Sequence, residues 1–394
     1  MKYMILLGFS CLTIQKQSWP NEKCHGGVKR MNKTRLLNPG KLKICGIIVF
    51  HILLTAACFT NAFANPGILF GGVSLAGAEF GDHHLPGSYG VDYTYPTQAE
   101  VDYFMGKGMN VFRIPVRWER LQHAPSNTLE SAELARLDEI VNYATSKGAY
   151  IILDPHNYAR YYGDIIGESD VPETAFAQFW SALANHYKGN PRAIFGLMNE
   201  PHTMLTELWR QDANVAIAAI RSTGAANLIL VPGNAWTGAH SWYQTWYGIP
   251  NSIEMLKITD PCNNYAFEVH QYMDSNFSGH SDVCVSETIG AEKLEDFTNW
   301  LREHGKRGFL GEFAGGRNST CYAALDNMLS YIDDHADVWL GWAYWAAGPW
   351  WGEYKFTLEP INGEDRPQMA PLSKHLPVKR NIPIGAIQLN LLQN

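Results

Sequence analysis

Charge is thin in this sequence: 18% of its 394 residues are Asp, Glu, Lys or Arg, against about a quarter in an average soluble chain. The net charge of −7 is modest and unpatterned. No basic stripe or RNA-binding signature interrupts it, so nucleic acid is not an expected partner. Long apolar runs are equally scarce. The strongest, "ICGIIVFHILLTAACF" over 44–59, is shorter than the about 20 residues that a bilayer span requires and carries His51 in its middle. A stable membrane span is therefore not expected. H-E-x-x-H and C-x-x-C are absent, and no G-x-G-x-x-G follows the first strand candidate, which argues against a zinc motif, a dithiol motif and a dinucleotide fold. Nor does a Ser/Thr/Pro-rich linker divide the chain into separate modules.

The apolar run reads instead as the core of an export signal. Lys41 and Lys43 precede it, and Ala62-Phe63-Ala64 puts small residues where a signal peptidase cuts, so residues 1–64 are a leader and the mature chain starts near 65. Met31, followed by Lys33 and Arg35, makes a second possible start. Lipid attachment at Cys58 is the minor alternative, and the expected location is secreted or periplasmic. Four of the seven cysteines (Cys11, Cys24, Cys45, Cys58) fall in the leader. That leaves Cys262, Cys284 and Cys321, enough for one disulfide in an oxidising compartment, with the pair undetermined by spacing.

From about residue 67 a rhythm of short apolar runs, polar loops and helical stretches sets in. Strands are expected at 68–75, 110–116, 149–154, 193–199, 227–233, 265–272, 308–313 and 338–345. Helical periodicity lies between them over 134–148, 173–187 and 294–305. Alternating strands and helices imply right-handed crossovers and a parallel sheet, and eight repeats imply an α/β fold closed as a (β/α)8 TIM barrel over 65–360. An open doubly wound sheet is the competing architecture. Residues 361–394 read as a loose C-terminal tail.

In such a barrel the chemistry sits at the carboxyl ends of the strands. The sequence places polar residues there repeatedly: Arg113, His156, Asn199 with Glu200, His270 with Tyr272, Glu312, and Trp345. Each has a bland reading alone, and Glu200-Pro201 can simply be a helix-capping turn. Together they are harder to dismiss, because burying several ionisable groups at one end of a sheet is costly unless they serve one another or a ligand. Glu200 and Glu312 end strands four and seven, nearly opposite around the ring. Such a pair suits glycosidic bond cleavage, in which one carboxylic acid protonates the leaving oxygen and one carboxylate attacks the anomeric carbon.

The motifs "FGLMNEPH", "GFLGEFAGG", "DPHNYARYYG", "FEVHQYMDS", "GNAWTGAHSW" and "GWAYWAAGPWWGEY", in that combination and from about Gly72 to Pro360, resemble the endo-β-1,4-glucanases (cellulases) of glycoside hydrolase family 5. The resemblance implies Glu200 as acid/base and Glu312 as nucleophile of a retaining reaction. It further implies Arg113, His156, Asn199, His270, Tyr272 and Trp345 as a supporting shell, Trp236 as a cleft platform, and Cys284–Cys321 as the disulfide, with Cys262 outside it.

The implied partner is a β-glucan, whose flat uncharged pyranose faces match the 13 Trp and 19 Tyr of the chain. Trp242, Trp350 and Trp351 are further cleft candidates. No cofactor or metal is expected, although His202 and His240 join the histidines of the same face. A monomer is expected. Rival readings are another retaining β-glycanase on the same barrel (a mannanase, xyloglucanase or mixed-linkage glucanase), a non-catalytic carbohydrate-binding barrel, and a membrane-tethered structural protein.

Overall fold

Residues 67–378, apart from Ser126 and Ser169, are described by a computed structural model. The leader, the expected cleavage after Ala64 and the lipidation candidate Cys58 lie outside the described residues. Eight parallel strands form a closed ring: β1 Phe70–Leu75, β2 Val111–Val116, β3 Tyr150–Pro155, β4 Ala193–Gly196, β5 Ile229–Pro232, β6 Tyr265–His270, β7 Gly308–Glu312 and β8 Trp339–Ala347. β1 closes the ring by pairing with β8, Phe70 opposite Gly341 and Gly72 opposite Ala343. Every strand expected from the sequence is present and parallel, so the barrel stands and the open sheet does not.

Both faces of the strands are covered, which is why they read as nearly continuous apolar runs rather than as alternating ones. Inside the ring, Phe70, Val111, Tyr150, Ile152, Ile194, Leu230, Ala266 and Phe309 form an apolar plug. The inward period of two then continues from apolar to ionisable: Val111 to Arg113, Ile152 to Asp154, Ala266 to Glu268 to His270. The plug fills the lower barrel and the charged layer lies above it.

Helices α1 Gln98–Lys107, α2 Ser131–Ser146, α3 Glu173–Tyr187 and α4 Thr206–Ser222 pack outside the first five strands. The start of α1 is set by a capping box between Thr97 and Glu100, and its end by Gly108 at φ 105. The fifth crossover is different: its one α-helix is the four-residue α5 Asn251–Glu254, accompanied by the 3-10 turns Ala239–Ser241 and Met255–Lys257. α6 Ile289–Glu303 and α7 Ser319–Asp334 complete the outer layer. None of the helices among the described residues is long and apolar enough to cross a membrane.

Two features tie the loops and the chain end to this frame. Cys284 and Cys321 form a disulfide across 37 residues, fixing the β6–α6 loop to α7; by loop-closure entropy this contributes about 4 kcal/mol. Residues 361–378, the described part of the segment expected as loose, pack on the barrel. Met369 and Leu372 are buried, and the His375 ring lies between Asp333 (2.7 Å) and Asp326 (3.1 Å). A Cβ on Gly71 would lie 2.7 Å from Pro377 Cδ, so this glycine makes room for the returning chain. These described residues carry a few well-placed apolar side chains but no long helical or strand period to announce them.

One buried group outside the charged layer carries a testable cost. Asp212 on α4 is wholly buried and neither carboxylate oxygen has a hydrogen-bond partner. Burial, with the charge of Glu173, pushes it up to about 8. The folded state therefore keeps a proton that the unfolded chain loses near its ordinary value, and stability falls as pH rises between the two. Asp212→Asn has no charge to bury. It should melt above the wild type at pH 8.5, by about 2 °C for each kcal/mol recovered, with the difference shrinking toward pH 4; equal pH dependence in the two proteins would refute this.

Candidate active site

The upper layer is organised around Arg113, fully buried on β2. Its Nη1 donates to Glu312 Oε1 at 2.7 Å and lies 3.1 Å from Asp154 Oδ2, while Nε lies 3.3 Å from Glu268 Oε1. Burial opposes the guanidinium charge, but the surrounding carboxylates more than offset it and leave Arg113 firmly cationic. The remaining nitrogen, Nη2, donates to Asn199 Oδ1 at 2.7 Å.

That last bond fixes a chain of orientations. With its oxygen taken by Arg113, the Asn199 amide turns Nδ2 toward His156 Nε2 at 3.2 Å. His156 Nδ1 lies 2.8 Å from Asp154 Oδ2. The consistent assignment is a neutral ring that donates from Nδ1 to Asp154 and accepts at Nε2 from Asn199. Burial drives the imidazole well below its usual value, which keeps it neutral, and pushes Asp154 up to about 6 against the pull of Arg113. The ring of Trp345, from β8, stacks on His156 with 5.4 Å between centroids.

Glu200 follows Asn199 beyond the end of β4, with φ at 41°. A non-glycine residue there is strained, and such strain is typical of positions that the surroundings over-determine. His270 Nδ1 meets Glu200 Oε1 at 2.7 Å and lies 3.6 Å from Glu312 Oε2. Glu312 also accepts from the Tyr272 hydroxyl at 2.9 Å. One oxygen from each of Glu200 and Glu312 and one His270 nitrogen lie within 4.8 Å of one another. Burial disfavours the His270 cation, but Glu312 and the hydrogen bonds to Glu200 and Glu268 outweigh it and raise the ring to about 10. Glu312 is raised by burial, with His270 and Arg113 pulling it down and Glu200 pushing it further up.

These three side chains are the one group of potential cation ligands gathered so closely among the described residues. A metal ion fits poorly here: Glu312 already holds a guanidinium at 2.7 Å and a phenol, and a second cation would meet that guanidinium. His202 and His240 have other roles. His202 stacks on Trp236 with centroids 4.6 Å apart, and His240 donates its backbone N–H to Gln271 Oε1 at 3.0 Å.

A cleft of about 480 Å³ opens beside this cluster, with Glu200, His270 and Tyr272 on its floor and Tyr158, Trp236, Trp246 and Phe277 among its walls. The volume is that of a ligand site rather than a packing gap. Trp236 is 41% exposed. Ala235, Trp236 and Thr237 take φ of 56°, 55° and 48° in succession, a left-handed turn. Its cost is offset by fixed bonds: Trp236 N–H donates to Pro201 O at 3.0 Å, and the Thr237 hydroxyl to Glu268 O at 2.6 Å. Of the other aromatic candidates, Trp351 packs against Trp345 and Phe80, and Trp350 is exposed. Trp242 is a correction: it is wholly buried among Phe267, Phe297 and Trp300, because the 3-10 turn Ala239–Ser241 that leads into it packs against α6.

The structure thus brings Arg113, His156, Asn199, Glu200, His270, Tyr272, Glu312 and Trp345 together, with Trp236 standing apart on the cleft wall. Two members were missed from the sequence, Asp154 and Glu268. Each sits two residues before a histidine already singled out, hence on the same inward face, and that spacing was the available signal. Arg113 offers the direct check on this layer. Arg113→Met leaves Asp154, Glu268 and Glu312 facing one another without their cation, and should destabilise the fold by about 3–5 kcal/mol. The fall in melting temperature should be greater at pH 7 than at pH 4.5, where carboxyls take up protons; an unchanged melting temperature at pH 7 would contradict the arrangement.

Comparison with known proteins agrees with this architecture. A family model described as cellulase (glycosyl hydrolase family 5) matches residues 73–348. Endo-beta-1,4-glucanase A of Emericella nidulans is 42% identical over 314 residues, covering 79% of this chain and 93% of that protein. The structure of XacCel5A in complex with cellopentaose superposes with a TM-score of 0.77 at 49% identity, covering 78% of this chain and 99% of that one. Endo-beta-1,4-glucanase Xac0029 from Xanthomonas axonopodis pv. citri gives a TM-score of 0.77 at 48% identity, covering 79% and 99%. An eight-stranded barrel with paired carboxyls at its mouth, in a chain so similar to these proteins, is a glycoside hydrolase and belongs to glycosyl hydrolase family 5, the cellulases.

Proposed function

We propose that the protein is an exported, retaining endo-β-1,4-glucanase in which Glu312 is the nucleophile and Glu200 the acid/base. One observation carries the mechanism: an oxygen of Glu200, which lines an open cleft, and an oxygen of Glu312 lie within 4.8 Å of each other. A retaining pair is spaced at about 5–5.5 Å, whereas an inverting pair needs about 6.5–9.5 Å to admit a water between sugar and base.

Two carboxyls so close do not both ionise freely. Glu312 accepts from Arg113 and Tyr272, so the negative charge belongs on Glu312 and the shared proton on Glu200. In the first step Glu312 forms a bond to the anomeric carbon as the glycosidic C–O bond breaks, and the leaving oxygen takes the Glu200 proton. In the second, water attacks the same carbon, gives its proton to Glu200 and releases Glu312 as carboxylate. Asn199 has a second Nδ2 hydrogen beyond the one aimed at His156, which suits the sugar 2-hydroxyl. Trp345 offers a flat floor and Trp236 a wall for uncharged pyranose faces.

Substrate choice rests on the relatives, which carry the names endo-β-1,4-glucanase and endoglucanase, and on the XacCel5A complex with cellopentaose. Export rests on the leader sequence, and the Cys284–Cys321 disulfide suits an oxidising compartment.

Glu312→Gln should lower kcat on carboxymethylcellulose by at least about 10⁴-fold, the scale on which nucleophile replacements act, while cello-oligosaccharide binding by calorimetry persists. NMR of fresh products should show the β-anomer first. An initial α-anomer would overturn retention, and hydrolysis of mannan alone would overturn the substrate.

A further inference from the structure

Glu268 is a carboxylate for which the two-carboxylate mechanism has no use. It is 1% exposed, on β6, inside the barrel. Its Oε1 lies 3.4 Å from His270 Nε2 and 3.3 Å from Arg113 Nε. Space for it is built into the neighbouring strand: a Cβ on Gly311, the residue preceding Glu312, would lie 2.0 Å from Glu268 Oε1. Any side chain at 311 would displace this carboxylate.

The consequence falls on His270, which has an anion at each ring nitrogen. Glu268 faces Nε2; Glu200 at 2.7 Å and Glu312 at 3.6 Å both face Nδ1. Resting on the roles given above to Glu200 and Glu312, we propose that Glu268 is a positioning residue. Bound at Nε2, it keeps His270 a doubly protonated cation, whose Nδ1–H lies beside both Glu200 and Glu312 and compensates the negative charge on whichever of them carries it.

The need for such a group follows from the reaction. In the free enzyme the charge is on Glu312; in the glycosyl-enzyme Glu312 is a neutral ester and Glu200 is the anion. A cation within hydrogen-bonding reach of one and 3.6 Å from the other compensates both states without gaining or losing a proton. Every charged or titratable group around the ring bears on this. Arg113 from β2 repels the imidazolium. Asp154 from β3 favours it, as do Glu268 on β6 and whichever of Glu200 beyond β4 and Glu312 on β7 carries the charge, while His156 is neutral. The anions outnumber the one opposing cation. From β5, the Thr237 carbonyl accepts the His270 backbone N–H at 3.0 Å and fixes the ring's origin.

Glu268→Gln keeps the volume and an oxygen for Arg113 and removes only the charge. In the full-length variant, the His270 titration followed by ¹⁵N NMR should fall by about 1–3 pH units, the range a nearby opposite charge supplies. The alkaline limb of kcat/KM on cellotetraose should move down with it while the acid limb stays. An unmoved titration and alkaline limb would overturn the proposal and leave the glycosidase reading intact; activity surviving in Glu312→Gln would instead overturn that reading. A second measurement needs no variant. In wild-type enzyme trapped as its ester by a 2-deoxy-2-fluoro-cellobioside, His270 should remain doubly protonated at pH 7.5, and a neutral ring there would overturn the proposal.

Discussion

The mouth of this barrel gathers more negative charge than a buried layer tolerates, and one guanidinium makes it tolerable. Arg113 touches Asp154, Glu268 and Glu312 within 3.3 Å. Burial alone pushes carboxyls toward neutrality, and a protonated Glu312 would be no nucleophile. Arginine suits the position because its planar fork reaches separate partners in fixed directions, which a lysine ammonium does not. Neutralisation and orientation come from the same side chain: the nitrogen that misses the carboxylates takes the Asn199 oxygen, and the amide so turned selects the tautomer of His156.

The cleft beside this layer owes its shape to loops held as firmly as strands. The three left-handed residues 235–237 present Trp236 outward while Thr237 is bonded to β6. On the facing side, the buried carboxylate of Asp274 accepts the backbone N–H groups of Gly279, His280 and Ser281. The disulfide anchors the far end of that loop. Rigid aromatic walls suit a ligand with apolar faces and few charges, because little conformational freedom is lost when it binds.

Much of this was legible in the sequence. The strands declared themselves because each is apolar on both faces and is punctuated by polar loops, and the site followed from the rule that barrels place chemistry at strand ends. Legibility failed where a residue's role depends on its distant neighbours. Glu268 looks like an ordinary strand residue until Gly311, more than forty positions later, is seen to vacate its space. Trp242 lies two residues after a histidine that borders the cleft, yet it packs among Phe267, Phe297 and Trp300, partners that nothing in its local sequence reports. Residues 361–378 have no long period, and the room for Pro377 comes from a glycine in the first strand.

That contact between the first strand and residue 377 bears on the order of assembly. The ring closes between the earliest strand and the latest, and its base is covered by Pro377 lying against Gly71. A nascent chain thus carries an open sheet with two unpaired edges until β8 has emerged, the kind of intermediate that invites aggregation. A polypeptide built this way stays threadable until its eighth strand leaves the ribosome.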